Sequence, residues 1–492
     1  MSNKKVLILN FPKISIDAPP LAPALLGSLC EKNNISYDFI DCNLEFYQQL
    51  SAQLKQEILV EYAEKFENTV LGKEAQSWLD SYFQDLSKKC NNYEIVAISV
   101  FTMHSSNLVS YFLSKFRQNF TACVVVGGAG LNDLGWDSTD QVKKIPFYKF
   151  LQQNKLIDYW TLGEGEEAFE NIIQGNFSHP SVNSDNYNFL TDFSKVPTPS
   201  FSQFDLTAYQ DMFNNRTLIS VEGSRGCVKN CTFCDIKKIW GNYKFKDGVA
   251  LAEELLTLEK KYNVDHFWFN DSLVNGSLKV FREFTQYLSE NRKNKNFTWS
   301  GQAIIRNRSS NDETDFALLK NSGCQTLAVG LEHFSERVRF HMTKKFTDND
   351  VDNFFNLAQK YNINLFLLMI VGYPTETQED FDISLRKLEK YQHLADDGTI
   401  SAINFGVTLN ILPDTPLDSM KKSLNVVYPI NSTDHSRLWS VDKNTPEQRI
   451  RWRIQIEEYA RKLGYNCVDD QYIEQTMLTF LKNYRSQKNE LD

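Results

Sequence analysis

Three cysteines stand together in the run Gly223-Ser-Arg-Gly-Cys-Val-Lys-Asn-Cys-Thr-Phe-Cys234, spaced C-x3-C-x2-C, just after the strand-like Arg216-Thr-Leu-Ile-Ser-Val-Glu222. Thiolate is the ligand that iron–sulfur clusters require. Three thiolates on one short loop can hold three irons of a 4Fe-4S cube and leave the fourth iron open. An open iron on a low-potential cluster can chelate a substrate or cofactor and pass it one electron, which a closed four-cysteine site cannot do. Cys227, Cys231 and Cys234 are therefore candidate metal ligands and candidate catalytic residues. Two other readings compete: a zinc site, and cysteines that merely fill space. A zinc knuckle wants a fourth Cys or His nearby, and apart from the triplet none lies between His179 and His266.

The spacing resembles the signature of the radical S-adenosylmethionine (radical SAM) superfamily, with Phe233 as the aromatic residue commonly found before the third cysteine. The resemblance implies that the open iron binds the amine and carboxylate of SAM. It also implies that the reduced cluster cleaves SAM to methionine and a 5′-deoxyadenosyl radical.

The elements that position such a loop come next. At 492 residues the chain is too long for one ordinary core and suggests two or three domains. A net charge of −9 gives no global basic field to favour nucleic acid or an anionic membrane. The start, Met1-Ser-Asn-Lys-Lys-Val, lacks the apolar stretch of a signal peptide, and no window approaches the roughly 20 apolar residues of a membrane span. Nine cysteines, with no pairing pattern outside the triplet, fit a reducing compartment. A cytoplasmic location is the expectation.

Residues 1–190 read as alternating strands and helices. Lys5-Val-Leu-Ile-Leu-Asn10, Ser36-Tyr-Asp-Phe-Ile-Asp41, Tyr93-Glu-Ile-Val-Ala-Ile-Ser-Val100 and Ala122-Cys-Val-Val-Val-Gly-Gly128 are apolar strand candidates. Helical character follows the first at 23–31 and the third at 108–117, while 45–89 looks like a helical insertion. This is a doubly wound, Rossmann-like α/β pattern, whose ligand crevice lies at the strand C-terminal ends. Pro19-Pro-Leu-Ala-Pro-Ala-Leu-Leu-Gly-Ser-Leu, Val126-Gly-Gly-Ala-Gly130 and Leu162-Gly-Glu-Gly-Glu-Glu-Ala-Phe169 resemble loops of the cobalamin-binding domain that precedes many radical SAM modules. Gly127, Gly128, Gly130, Gly163 and Gly165 are accordingly candidate cofactor-binding residues, since glycine lets a backbone approach a ligand closely. Tight turns explain any single run equally well. Where the base-off cobalamin domain carries Asp-x-His-x-x-Gly, this chain reads Asn10-Phe-Pro-Lys-Ile-Ser-Ile-Asp17, with no His. His104 stands on another loop, either near a ligand's lower face or with no special role.

The Ser-, Asn-, Asp- and Pro-rich stretch 176–204 marks a linker. Residues 191–416 then resemble the radical SAM core, a partial (β/α)6 barrel of TIM type. Strands are expected at 266–270, 297–301, 326–330, 364–371 and 400–407, with helices at 249–262, 278–291, 314–321, 348–361 and 376–395. In such barrels chemistry sits at the strand C-terminal ends. Asn270 and Asp271 follow the second strand and would present polar groups to the SAM amine, or simply cap a helix. Gln302 and Arg306 follow the third.

Gly330-Leu-Glu-His-Phe-Ser-Glu-Arg-Val338 resembles the family's fourth-strand segment. There Glu332 would meet a ribose hydroxyl or the SAM amine, and Ser335 and Arg337 a carboxylate. A helix-start Ser and a surface Arg are the plainer alternatives. His333 departs from the small residue usual at its place, as if facing substrate. Val371-Gly-Tyr-Pro-Thr-Glu-Thr377 resembles the Gly-x-Pro-Gly-Glu-Thr turn near the SAM adenine, with Gly372 matching and Thr375 replacing the second Gly. Leu409-Asn-Ile-Leu-Pro-Asp-Thr-Pro416 resembles a Pro-Gly-Thr-Pro exit with Asp414 in place of Gly.

Residues 417–492 are expected to form a small helical extension, with a helix at 471–484. Arg449, Arg451, Arg453 and Arg461 read as a solvated face pairing with Glu447, Glu457 and Glu458, or as a site for an anionic substrate. The resemblance as a whole implies a 4Fe-4S cluster, SAM and cobalamin as cofactors. It implies methyl transfer to an unactivated carbon or phosphorus of a small-molecule or peptide substrate, with a reductant such as flavodoxin or ferredoxin. A radical SAM cyclase, rearrangement catalyst or oxidoreductase without methyl transfer remains a second reading. A non-catalytic cofactor sensor is a third, although a sensor has no need of an open iron.

Overall fold

In the computed structural model, residues 5–13, 16, 18–63, 70–132, 134–137, 144–210, 214–307, 312–428 and 437–468 are described. The chain divides into two compact units: Met1–Val221 with Tyr262–Val264, and Glu222–Lys261 with Asp265–Asp492.

The first unit is built on a five-stranded sheet in the order Ser36–Asp41, Lys5–Asn10, Ile95–Ser99, Cys123–Gly127, Tyr159–Thr161. Every neighbouring pair is parallel. Alternation along each strand sends side chains to opposite faces, and both faces are buried. Leu7, Leu9, Val96, Ile98, Val124 and Val126 enter one core, with Phe46, Phe83 and Phe112 from the helices Cys42–Gln49, Lys73–Cys90 and Met103–Phe116. Val6, Ile8, Ile95, Ala97 and Val125 enter the other, with Leu29 and Ile172 from Leu21–Lys32 and Glu166–Gln174. A sheet covered on both sides is the doubly wound architecture. Strands one and three are neighbours, so the chain winds in opposite directions from between them. Ligands of such sheets bind at that switch point.

The expected insertion appears as the helices Cys42–Gln49, Ala52–Lys55 and Lys73–Cys90. The strand Tyr159–Thr161 and the ribbon pairing Leu134–Asp137 with Lys144–Pro146 were not anticipated. At three or four residues each, they are too short for a pattern to repeat.

The second sheet has six strands, laid out in chain order: Leu218–Val221, His266–Phe269, Thr298–Ala303, Cys324–Glu332, Asn364–Met369 and Ile400–Asn404. The helices Gly248–Tyr262, Leu278–Asn291, Glu313–Ser322, Asp348–Lys360 and Gln378–Asp396 lie one between each successive pair of these strands. Simple sequential order with helical crossovers is the (β/α) barrel pattern. Trp268, Asn270 and Gln302 are exposed, while Phe267, Phe269, Trp299 and Ala303 between them are buried. One face of the sheet is thus open and the other packed under helices.

The extension contributes a helix, Pro446–Lys462, and a segment beyond it. Ile403 N–H donates to Asn466 O (2.8 Å) and Val468 N–H to Ile403 O (3.0 Å), which covers part of the last strand's edge. Two of its arginines are not solvated. Arg449 is fully buried and Arg453 nearly so, and Arg453 donates to Gly406 O at 2.6 Å. Arg451 is exposed, and Arg453 and Arg461 do pair with Glu457. The helix expected at 471–484 lies outside the described residues. Among the described residues no helix is long and apolar enough to cross a membrane.

Candidate functional site

The cysteine loop leaves the first strand of the second sheet through a two-residue ribbon, Ser224–Arg225 paired antiparallel with Lys244–Phe245. A buried fork-to-fork pair fixes its base: Arg225 donates from Nε and a terminal nitrogen to the two oxygens of Glu222, each at 2.8 Å. Gly226 then turns with φ +80°, a left-handed conformation that glycine adopts without strain.

The loop itself is held by segments that follow three later strands. Thr232 N–H donates to Met342 O (3.2 Å), and the Thr343 hydroxyl donates to Asn230 O (2.6 Å). The Tyr373 hydroxyl lies 2.8 Å from that of Thr232 and itself donates to His341 O at 3.1 Å. Leu417 N–H donates to Thr232 O at 2.7 Å. Phe233 packs with Val338, Met342, Tyr373 and Leu417. The exits of the fourth, fifth and sixth strands therefore close around the residues between the second and third cysteines.

All three cysteines are free thiols of intermediate exposure. Among the described residues no three Cys, His, Asp or Glu side chains converge on one point as a single metal ion needs. A cube makes no such demand, because each thiolate serves a different iron. Burial pushes the Cys231 thiol up, with Lys344 opposing, and pushes Cys234 up to about 11. Lys229 is pulled down by burial first and then by Arg306. Three soft donors on a half-buried loop near Lys229 and Lys344 suit a cluster whose ligated form is an anion.

Glu332 ends the fourth strand with φ +65° beside a register shift. A left-handed non-glycine residue is uncommon and marks stored strain. Its carboxylate accepts from the buried Lys344 ammonium at 2.8 Å, which also donates to Gly330 O at 3.2 Å. A Cβ on Gly330 would stand 2.5 Å from Glu332 Oε1 and 2.9 Å from Lys344 Nζ, so a larger residue there would have to displace this pair.

The other barrel candidates are placed as follows. Asn270 and Gln302 are exposed on the open face. Asp271 is instead buried, accepting from Gly223 N–H (2.9 Å) and the Ser224 hydroxyl (2.5 Å), and burial raises its carboxyl to about 7. It ties the second strand's exit to the cysteine ribbon. Ser335 and Arg337 both find Asp380: the Ser335 hydroxyl donates at 2.7 Å and Arg337 Nε at 3.2 Å. A protein carboxylate occupies the place expected for a ligand's. Asp380 also forms the capping box of the helix Gln378–Asp396 with Thr377.

His333 does not face an open space. It is 3 % exposed, its Nδ1 accepts from Ser335 N–H (2.9 Å), and its Nε2 lies 3.1 Å from Glu376 Oε1. Glu376 in turn accepts from Gly372 N–H at 2.6 Å. Gly372 has φ +88°, and a Cβ there would come within 2.1 Å of Arg449 Cδ. Asp414 has φ +64° and pairs with Lys238 at 2.6 Å. It holds a left-handed geometry that glycine takes easily and Asp tolerates.

In the first unit, the two glycine runs meet. Cβ atoms on Gly127 and Gly165 would both press on Thr161 Cγ2, at 3.2 and 3.3 Å. Gly128 (φ +115°) and Gly130 lie against backbone, with Cβ positions 2.4 Å from Val100 O and 2.6 Å from Thr102 O. Gly163 (φ +77°) lies likewise against Asn188 O at 2.4 Å. All five stand near the C-terminal ends of their strands. His104 falls in the helix Met103–Phe116, but its side chain lies outside what is described.

Residues that sequence reasoning missed are Lys344, Tyr373, Glu376 and Asp380. The last two sit in helix-start positions that read as ordinary caps, and Lys344 in Thr343-Lys-Lys345 looks like surface. Only the fold brings Lys344 and Tyr373 to the loop, and Glu376 and Asp380 to the residues after the fourth strand.

Residues 221–388 match the radical SAM superfamily. The anaerobic magnesium-protoporphyrin IX monomethyl ester cyclase of Synechocystis sp. is 21% identical over 261 residues, covering 50% of this chain and 51% of that protein. The cytidylyl-2-hydroxyethylphosphonate methyltransferase of Streptomyces wedmorensis is 23% identical over 195 residues, 37% of this chain and 35% of that protein. The matched regions span about half of the first relative's length and about a third of the second's.

Among solved structures, the radical SAM methyltransferase TsrM from Kitasatospora setae, with cobalamin and a 4Fe-4S cluster bound, superposes with a TM-score of 0.60 at 17% identity. That likeness covers 86% of this chain and 75% of TsrM. The cobalamin-dependent radical enzyme OxsB, with aqua-cobalamin and SAM bound, gives 0.63 at 14% identity, over 99% of this chain and 71% of OxsB. These likenesses establish a shared fold: a parallel α/β sheet domain followed by a TIM-type barrel.

Proposed function

We propose that this chain, which carries a radical SAM domain over residues 221–388, is a cobalamin-dependent radical SAM methyltransferase acting on an unactivated carbon or phosphorus. The observation that carries the reading is the placement of Cys227, Cys231 and Cys234. They stand on the loop after the first strand of a six-stranded sheet, clasped by the exits of the last three strands. The two structural neighbours and one of the two relatives support it, each named for methyl transfer or for cobalamin and SAM.

Cys227, Cys231 and Cys234 would hold a 4Fe-4S cluster, and Asn270, Gln302 and Glu332 would line the SAM pocket. The glycines Gly127, Gly128, Gly130, Gly163 and Gly165 would line a cobalamin crevice. When bound, the cluster supplies the electron that splits SAM, and cobalamin supplies a methyl carrier. The chain's own residues bind and orient. Thr232, Thr343 and Tyr373 hold the cluster loop. His333 and Glu376 lock the exits of the fourth and fifth strands to one another. Ser335, Arg337 and Asp380 fix the start of the helix that follows the fifth. The electron would come from a flavodoxin- or ferredoxin-type donor, and the substrate is a small molecule or peptide.

The cyclase relative favours a second reading, in which the same core rearranges or oxidises its substrate without methyl transfer. Anaerobic reconstitution with iron, sulfide and hydroxocobalamin separates the two. Stoichiometric cobalamin uptake, with optical and electron paramagnetic resonance changes on adding SAM, supports the first. Cluster formation and SAM cleavage without cobalamin uptake supports the second.

A further inference from the structure

We infer that Lys344 provides a fixed positive charge that raises the reduction potential of the cluster site at Cys227, Cys231 and Cys234, an inference that rests on the cluster reading above. A 4Fe-4S cube in its oxidised state carries two positive charges, so three thiolates leave it a net anion, and an added electron makes it more so. The protein's levers on such a potential are net charge, hydrogen bonding and solvent exposure around the sulfurs. A buried ammonium beside the loop acts through the first of these.

Several independent features put it there. The segment that carries Lys344 is docked directly on the cysteine loop by Thr232 N–H to Met342 O and by the Thr343 hydroxyl to Asn230 O. The ammonium stands 5.9 Å from the ring centroid of Phe233, the residue that immediately precedes the third cysteine. Its side chain is 8 % exposed, so water screens it little. Burial works against its charge, yet the Glu332 carboxylate 2.8 Å away holds its proton on.

Glu332 is the tether that makes a buried ammonium tolerable, since an isolated one is costly to desolvate. Removing the ammonium alone leaves the Glu332 carboxylate unneutralised beside the loop, and removing the carboxylate alone leaves the ammonium. The backbone is arranged around this pair: Gly330 lacks the Cβ that would strike both partners, and Glu332 takes a left-handed φ to reach its ammonium. Thr343 and Lys345, on either side of Lys344, also have positive φ, so the segment is bent to aim one lysine inward and leave the next exposed.

The test is a redox titration of the reconstituted full chain without SAM. Dithionite and mediators set the potential, and the electron paramagnetic resonance signal of the reduced cluster is read. Lys344→Met is expected to shift the midpoint to more negative potential, and Glu332→Gln to more positive potential. Lys345→Met, which removes an exposed charge of the same sign one residue away, is expected to leave it in place. An unshifted midpoint in Lys344→Met, or one no larger than that of Lys345→Met, overturns the inference. Should Lys344→Met fail to load iron, Glu332→Gln decides alone, and the absence of a positive shift overturns it. A wild-type chain that takes up no iron would instead remove the cluster reading beneath it, which iron and sulfide analysis detects before any titration.

Discussion

Replacing Gly372 by alanine tests whether the turn after the fifth barrel strand is shaped by its neighbour in the extension. Two costs are separable. Gly372 has φ +88°, where an L-residue pays about 1–2 kcal/mol that glycine does not. The new Cβ would also lie 2.1 Å from Arg449 Cδ and 2.5 Å from Cγ. Arg449 has little freedom to retreat. Its guanidinium donates to Arg437 O and Trp439 O at 2.8 Å each and to Asn444 O at 3.1 Å, and it stacks on the Trp439 ring at 3.6 Å. Overpacking of this kind costs about 1–3 kcal/mol more, so the sum is about 2–5 kcal/mol. At about 2–4 °C per kcal/mol for a unit of this size, the melting point of the barrel should fall by roughly 10 °C. The assay is urea and thermal unfolding of wild type, Gly372→Ala, Arg449→Ala and the double variant. In the Arg449→Ala background the contacts with Cγ and Cδ are gone and only the backbone cost and a 3.1 Å contact with the retained Cβ remain, so the penalty should fall toward about 1–2 kcal/mol. An equal penalty in both backgrounds, or less than about 1 kcal/mol in the wild type, would refute the argument from close approach.

Burial holds the Asp271 carboxyl up to about 7, so between about pH 4 and 7 the folded chain keeps a proton that the unfolded chain has lost. Stability should therefore fall as pH rises through that window, and Asp271→Asn should flatten the slope in urea unfolding. For Asp380 burial pushes upward, but hydrogen bonds from Arg337, Ser335 and Thr377 outweigh it and hold the carboxyl below its usual range. Its stabilisation is present above about pH 4 and lost in acid, so the penalty of Asp380→Asn should shrink on acidification, as unfolding at neutral and acid pH will show. Asp414→Gly relieves a left-handed φ and gives up an exposed ion pair worth about 0–1 kcal/mol. Its unfolding midpoint should stay within the equivalent of about 1 kcal/mol of wild type.

Much of the fold was legible because its signals repeat. Runs such as those at 95–98 and 123–126 are apolar at every position, as strands buried on both faces must be. The ten-to-nineteen-residue helices between barrel strands carry clear periodicity. Short pieces escaped: the strand Tyr159–Thr161 and the ribbon at Ser224–Arg225 are fixed by partners distant in sequence. The cysteine loop was legible because its chemistry depends on spacing along the chain. What the surrounding polar residues do was not, because it depends on which strand exits meet. Arg337 and Ser335 look like ligand donors until Asp380 is placed between them, and His333 looks like a substrate contact until Glu376 is. The arginines of the extension misled in the opposite direction. A run rich in Arg and Glu has the composition of a solvated face, yet Arg449 and Arg453 turn inward to carbonyls of the barrel and its extension.

The most direct test of the central claim is SAM cleavage by the anaerobically reconstituted chain under dithionite. Wild type is expected to form 5′-deoxyadenosine and methionine, and Cys227→Ala, Cys231→Ala and Cys234→Ala to form neither and to lose cluster iron. A wild-type chain that holds four irons yet leaves SAM intact, or alanine variants that cleave it as well as wild type, would contradict the assignment of the triplet.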